Sequence, residues 1–158
     1  MIVMFGDGGH AKVIRELIKA LPVTPSSITF VAIGDNRARK RVTEEVIEKG
    51  HKLSTLIHHN TLVSPSAKVG VGTVIMAGVI VQANAVIGNH CILNTNCTVD
   101  HDCVLEDYAH IAPGAHLCGN VHVGEGTLVG VGVGIAPNTE IPAWSIVKAR
   151  RLEICPMK

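Results

Sequence analysis

Residues 93–119, LNTNCTVDHDCVLEDYAHIAPGAHLCG, carry a six-residue periodicity that decides the fold. Leu93, Val99, Leu105, Ile111 and Leu117 recur six apart, and the place four residues further on holds Cys97, Cys103, Ala109 and Ala115. Extended in both directions, the first place is Val, Ile or Leu at all fifteen positions from Val63 to Val147. The second stays small or β-branched from Ala67 to Ser145, and Arg151 breaks it. A period of six belongs neither to a helix nor to a plain strand. It is the repeat of a solenoid in which each hexad supplies one short strand and one corner. Three hexads close a triangular coil, so the array predicts about five coils, stacked about 4.8 Å apart. Cys91, Cys97 and Cys103 fall in the small inward place and read as packing residues. The tail from Ala143, AWSIVKARRLEICPMK, reads as a cap over the last open edge.

Composition agrees with a solenoid. Of 158 residues, 47% are hydrophobic but only Trp, Tyr and two Phe are aromatic, so aliphatic side chains must fill the core; 16 glycines supply turns. A net charge of +1 without a basic stripe or aromatic platforms argues against nucleic acid as a partner. No apolar run reaches the roughly 20 residues of a membrane span, and Asp7, His10, Lys12 and Arg15 interrupt any leader, so a cytoplasmic protein is expected. Five cysteines without a CxxC pair indicate neither a disulfide framework nor a zinc knuckle.

Ahead of the repeat, residues 1–5 read as a strand that enters GDGGH, and AKVIRELIKAL has helical spacing. Backbone N–H groups at such a turn favour an anionic group, although a bare tight turn has the same signature. ITFVAIGDN then reads as a second strand, RARKRVTEEVIEKG as a helix ending at Gly50, and HKLSTLI as a third strand. This gives a division into a small α/β unit, 1–58, and a solenoid, 59–158. The unit is too small to be stable alone and should lean on its neighbour. Arg37, Arg39, Lys40 and Arg41 read as a solvated helix face, with a phosphate contact as the alternative.

The chemistry gathers near His101, at the third place of its hexad beside a corner and between Asp100 and Asp102. An imidazole of ordinary pKa is largely neutral at cell pH and takes a proton from an attacking amine or hydroxyl. Either acid could orient it, Asp102 only if the corner bends the chain, because adjacent strand side chains diverge. One coil further on stands Gly119, where a bare backbone leaves room for a thioester and offers an N–H to an oxyanion. His110 lies half a coil from His101, so the two meet only across a boundary between chains. Cys91 and Cys103 point inward, where a thiolate is costly, which disfavours an acyl-enzyme. His90 reads as structural, as do His116 and His122; His110, His116 and His122 are expected on three successive corners, which cannot converge on one zinc.

The repeat, together with GDGGHAKVI, VAIGDNRAR, IGNHCILNTNCTVDHDC and HIAPGAHLCGNVHVGEGTLVG, resembles the hexapeptide-repeat acyltransferases. Within them it is most similar to the bacterial sialic acid and nucleotide-aminosugar acetyltransferases, the NeuD and PglD type. The resemblance implies a left-handed parallel β-helix preceded by a shortened Rossmann-like domain, and a homotrimer with sites between chains. It further implies acetyl-CoA as co-substrate, no metal, and an amino group of a UDP-4-amino-sugar as acceptor, O-acetylation of sialic acid being the alternative. His101 is the implied base and Asp102 its acid; His110, Gly119, Val131 and Ala149 line the cofactor, and Gly8, Gly9, His10 and Asn94 the sugar substrate. A second acidic strand and a further helix, usual before VAIGDN in that family, are replaced here by LPVTPSS. The rival classes are a metal enzyme of the γ-carbonic-anhydrase kind and an inactive trimeric scaffold.

Overall fold

The computed structural model describes residues 2–6, 8–19 and 28–149. Strand β1 (Ile2–Phe5), helix α1 (Gly9–Lys19), strand β2 (Ile28–Val31) and helix α2 (Asn36–Glu48) form the first part. β1 and β2 pair in parallel, Val3 with Thr29 and Phe5 with Val31. The apolar face of α1, Ala11, Ile14, Leu17 and Ile18, is buried. Helix α2 begins at Asp35, whose carboxylate accepts the Ala38 N–H at 2.8 Å. It ends in a Schellman motif: Gly50, at φ +82°, donates to Ile47 and His51 donates to Val46.

The third strand expected in this part belongs elsewhere. Ser54 donates one bond to Thr29 of β2, but Leu56–Ile57, β3, pairs in parallel with Val74–Ile75 in the solenoid. Ile57 stands six residues before Val63 and so is in phase with the repeat, which starts one hexad earlier than its strict run. Two-residue strands then follow every six residues, from β4 (Leu62–Val63) to β18 (Ile146–Val147). Each pairs with the strand eighteen residues away, as Thr98 does with Ile80 and His116. Face one stacks β4, β7, β10, β13 and β16; face two stacks β5, β8, β11, β14 and β17; face three stacks β3, β6, β9, β12, β15 and β18. The result is a parallel solenoid of about five coils.

Its core is the expected one. The second residue of each strand points inward, and Ile75 through Val129 at this place are essentially inaccessible, packed with Cys91, Cys97, Cys103, Ala109 and Ala115. Each fully buried aliphatic side chain contributes about 1.5–3 kcal/mol relative to exposure. A second cluster joins the two parts of the chain: Ala11, Ile14, Leu17, Ile18, Phe30 and Ala32 pack on the outward residues Leu56, Val74 and Ile92 of face three. The small unit therefore completes its core on the solenoid.

The basic cluster early in α2 is a solvated face only in part: Arg37 and Arg41 are exposed, whereas Arg39 and Lys40 turn to the solenoid. Arg39 is 2% exposed and donates to the carbonyls of Ile33 and Gly34 on its own side and of His90 and Tyr108 on the solenoid, at 2.7–3.2 Å. Lys40 pairs with Glu125 at 2.7 Å and lies about equally far from the Tyr108 and Trp144 rings, 5.6 and 5.5 Å. Arg37 sits 4.6 Å over Trp144. These cations dock the helix on the coils.

Every corner from residue 72 to residue 144 carries a left-handed residue at the fourth place of its hexad, including Asn84, Asn96, Asp102, Asn120 and Asn138. Asn, Asp and Gly adopt this conformation at least cost. His90, Tyr108 and Trp144 also hold it, and they share one edge of the prism, where His90 stacks on Tyr108 at 5.1 Å. At the far end, Ala143–Val147 still form a regular corner and strand. The break at Arg151 and most of the expected cap lie outside the described residues.

Candidate active site

His101 occupies the corner between β10 (Thr98–Val99) and β11 (Val104–Leu105). Asp102 has φ +58°, and this turn swings its carboxylate round to the preceding side chain, so that His101 Nδ1 and Asp102 Oδ2 are 2.8 Å apart. Asp100 serves the backbone instead, its Oδ1 accepting the N–H of His101 at 2.8 Å. The hydrogen bond to Asp102 raises the His101 pKa, and the charges of Asp100 and Asp102 add to it. Asp102 is lowered by His101 first and then by the Asn84 amide. With Nδ1–H directed at the carboxylate, Nε2 is the accepting nitrogen. The pair is half-exposed on the free chain.

Gly119 is the rung beside this histidine. A Cβ placed on it would stand 2.6 Å from Cε1 and Nε2 of the ring. The imidazole thus lies across the bare backbone of the next coil, as the eighteen-residue spacing requires. A residue with any side chain at this rung would force the ring to shift.

The remaining candidates form a separate group. His110 is on face three, in β12 (His110–Ile111), where its Nδ1 donates to the Gly34 carbonyl at 3.3 Å and its Nε2 accepts from the Asn94 amide at 3.2 Å. Both bonds select one neutral tautomer. His10 stands beside it, ring centres 6.5 Å apart, with its Nε2 buried and unpartnered among the described residues. Gly8 and Gly9 make an open turn at the start of α1, and a Cβ on either would meet nothing within 4 Å. Val131 and the exposed Ala149 lie on the Asn94 edge of the prism, one and two coils beyond the corner that follows His110. Within one chain, then, His101, Asp102 and Gly119 come together, and Asn94, His110 and His10 come together, on different edges.

Burial foremost, together with the charge of Arg39, lowers both His10 and His110 to about 4. Their folded values lie below the ordinary 6.5, so between these limits the unfolded chain binds more protons than the folded one. Stability is therefore complete above about pH 6.5 and is lost as the pH falls toward about 4. The thermal midpoint should decline across this window, and His110→Gln should flatten part of the decline. A midpoint independent of pH there would contradict the buried, neutral placement.

His110, His116 and His122 sit on strands, not on corners as the spacing suggested: they are the first, outward residues of two-residue strands. His110, His116 and His122 occupy three different faces, His116 bonded to Thr98 Oγ1 and His122 to Glu106, both at 2.9 Å. Cys91 and Cys97 are held up to about 12 by burial, and Cys103 is raised for the same reason. Cys118, next to Gly119, is exposed. No helix among the described residues is long and apolar enough to cross a membrane. Gly34 and Asn84 were not singled out by sequence, and Arg39 only as one member of a solvated cluster; the recurrence of Gly, Asn or Asp at most sixth places from 72 was the available signal for the corner that shapes the pair.

A family model described as bacterial transferase hexapeptide (six repeats) matches residues 84–119. A solved structure of the acetyltransferase domain of PglB from Neisseria gonorrhoeae FA1090, in complex with acetyl coenzyme A, superposes with a TM-score of 0.88 and 34% identity, over 98% of this chain and 90% of that one. PerB from Caulobacter crescentus, in complex with CoA and GDP-perosamine, gives a TM-score of 0.88 and 36% identity over 94% of this chain and 86% of that one. A curated relative, UDP-N-acetylbacillosamine N-acetyltransferase of Bacillus subtilis (strain 168), is 40% identical over 107 residues, 46% of this chain. The match spans about half the length of that relative.

Proposed function

The chain belongs to the hexapeptide-repeat acetyltransferases of the NeuD and PglD type, and from that membership and the geometry of its corner we propose that it transfers an acetyl group from acetyl-CoA to the amino group of a nucleotide-linked 4-amino-sugar. The observation that carries the reading is the His101–Asp102 pair, 2.8 Å apart, lying over the backbone of Gly119. His101 Nε2 takes the proton from the attacking nitrogen as its lone pair adds to the thioester carbonyl. A backbone N–H at Gly119 faces the developing oxyanion. The C–S bond then breaks, CoA leaves as the thiol with the proton returned by His101, and the sugar carries an amide. No acyl-enzyme is needed, and the buried cysteines offer no nucleophile.

The two groups of site residues on different edges of one prism support a site closed between neighbouring copies. One chain supplies His101, Asp102 and Gly119; the next supplies Asn94, His110, Val131 and Ala149. A homotrimer of left-handed coils, each with a Rossmann-like unit whose Gly8–Gly9–His10 turn meets the nucleotide sugar, completes the reading. UDP is the proposed nucleotide; the GDP-perosamine bound by PerB makes a GDP sugar the nearest competitor.

The experiment is release of CoA thiol from acetyl-CoA with UDP-4-amino-sugars, GDP-4-amino-sugars, free sialic acid and CMP-sialic acid as acceptors. Release that depends on an amino-sugar nucleotide is the expected result. Release confined to the sialic acids would move the reading to O-acetylation, and CoA binding without release on any acceptor would favour a scaffold. In the same assay, Gly119→Ala should cost about 10²-fold in turnover by displacing the imidazole, since misplacing a reacting group by about 1 Å has this effect. Its melting temperature should hardly change, because the crowded neighbour is the movable end of a side chain. Unaltered turnover would show that the ring does not work from this position.

A further inference from the structure

The corner that carries His101 is one rung of a ladder. Along this edge the fourth place of the corner hexad in successive coils holds Ser66, Asn84, Asp102, Asn120 and Asn138, and the last four have φ of 57–59°. Neighbouring rungs are bonded: the Asn84 N–H donates to Ser66 Oγ at 3.0 Å, Asn84 Nδ2 to Asp102 Oδ1 at 3.2 Å, and Asn120 Nδ2 to Asn138 Oδ1 at 2.9 Å. Asp102 is the one acid in this column. Its two carboxylate oxygens are divided, Oδ1 to Asn84 and Oδ2 to His101.

We infer that Asn84 is a positioning residue for acetyl transfer, its amide holding the Asp102 carboxylate in the rotamer that meets His101 Nδ1. The inference rests on His101 acting as the base. Asp102 is half-exposed, and a free carboxylate at such a site samples several rotamers and exchanges its partners with water. Sequence neighbours on a corner do not face each other by default, so the left-handed turn brings the carboxylate near and a second bond is needed to fix it. Asn84 is suited to supply that bond because it is itself immobilised, through its own N–H to Ser66 and its place in the adjacent coil. As a neutral donor it also favours the ionised form of Asp102 and so keeps the shared proton on the imidazole. The charged groups facing His101 are Asp100 and Asp102 of its own corner; the adjoining rungs offer Ala83 and Asn84 on one side and Gly119 and Asn120 on the other, none of which titrates.

Asn84→Gly removes the amide at a position whose φ of +59° glycine adopts without strain. Expected are a fall in kcat of about tenfold, an unchanged KM for acetyl-CoA, and a downward move of the acid limb of kcat/KM as His101 loses part of its hold on Asp102. The His101 imidazole, followed by NMR titration in the absence of substrate, should shift down with it. Asn84→Asp keeps the size and places a second carboxylate on the rung, so the limb and the imidazole titration should both move up. Asn138→Gly, in the same column two coils away, should leave all of these unchanged. Wild-type kcat and titration in Asn84→Gly would overturn the inference, as would an equal loss in Asn138→Gly, which would assign the effect to the column as a whole. If His101→Gln retains activity, the base assignment fails instead, and the Asn84 titration shift remains readable without it.

Discussion

His101→Ala should lower kcat for acetyl transfer about 10³-fold, within the 10²–10⁴ that a positioned base supplies, while CoA binding and the melting temperature stay near wild type. The side chain is half-exposed and lies over the bare rung of Gly119, so its loss opens no buried cavity. The wild-type pH profile should show the same group. A base must be neutral, and the bond to Asp102 raises the His101 pKa, so activity should fall as the pH drops through a value above the ordinary 6.5. In Asp102→Asn that limb should move down, since the raising partner is gone. Steady-state kcat and KM, with CoA affinity by calorimetry, separate the loss of a base from the loss of a binding site. A His101→Ala enzyme within tenfold of wild type would remove this residue from the chemistry.

Arg39→Met should destabilise the chain by about 3 kcal/mol, the scale of losing several buried charge-assisted bonds at once. Burial lowers the guanidinium to about 10, so it remains charged at neutral pH and holds four carbonyls drawn from both parts of the chain. The methylenes are replaced by those of Met; the bonds are not. The loss should be local. Hydrogen exchange should rise throughout α2 and at the ends of β2, while the inner coils keep their protection, because their ladders and core do not involve Arg39. Uniform exchange over the whole solenoid would mean that the two parts unfold as one unit.

Most of the solenoid was legible because its rule is local: an aliphatic residue every six places, with a small one four beyond, fixes the inward face of each strand regardless of distant context. The same arithmetic placed Gly119 beside His101 and separated His101 from His110. It failed where tertiary packing decides. Residues 51–57 look like any short apolar strand, and only their phase with Val63 reveals that they pair with the first coil instead of with β2. Arg39 sits among Arg37, Lys40 and Arg41 in a stretch of charge that reads as solvated, yet the docking of α2 on His90 and Tyr108 buries it. The choice between Asp100 and Asp102 needed a backbone angle; the Gly and Asn residues at nine of the twelve sixth places from 72 to 138 carried that angle in the sequence, through their tolerance of positive φ.

The most direct test is the chemical product. The chain is incubated with acetyl-CoA and a UDP-4-amino-sugar, and the recovered nucleotide sugar is analysed by mass spectrometry and NMR. An acetyl group on the sugar nitrogen is the expected outcome, with one CoA released for each amide formed and about 10³-fold slower product formation with His101→Ala. Amino-sugar nucleotides of both the UDP and GDP classes recovered unchanged, from protein that binds CoA, would contradict acetyl transfer to an amino-sugar nucleotide.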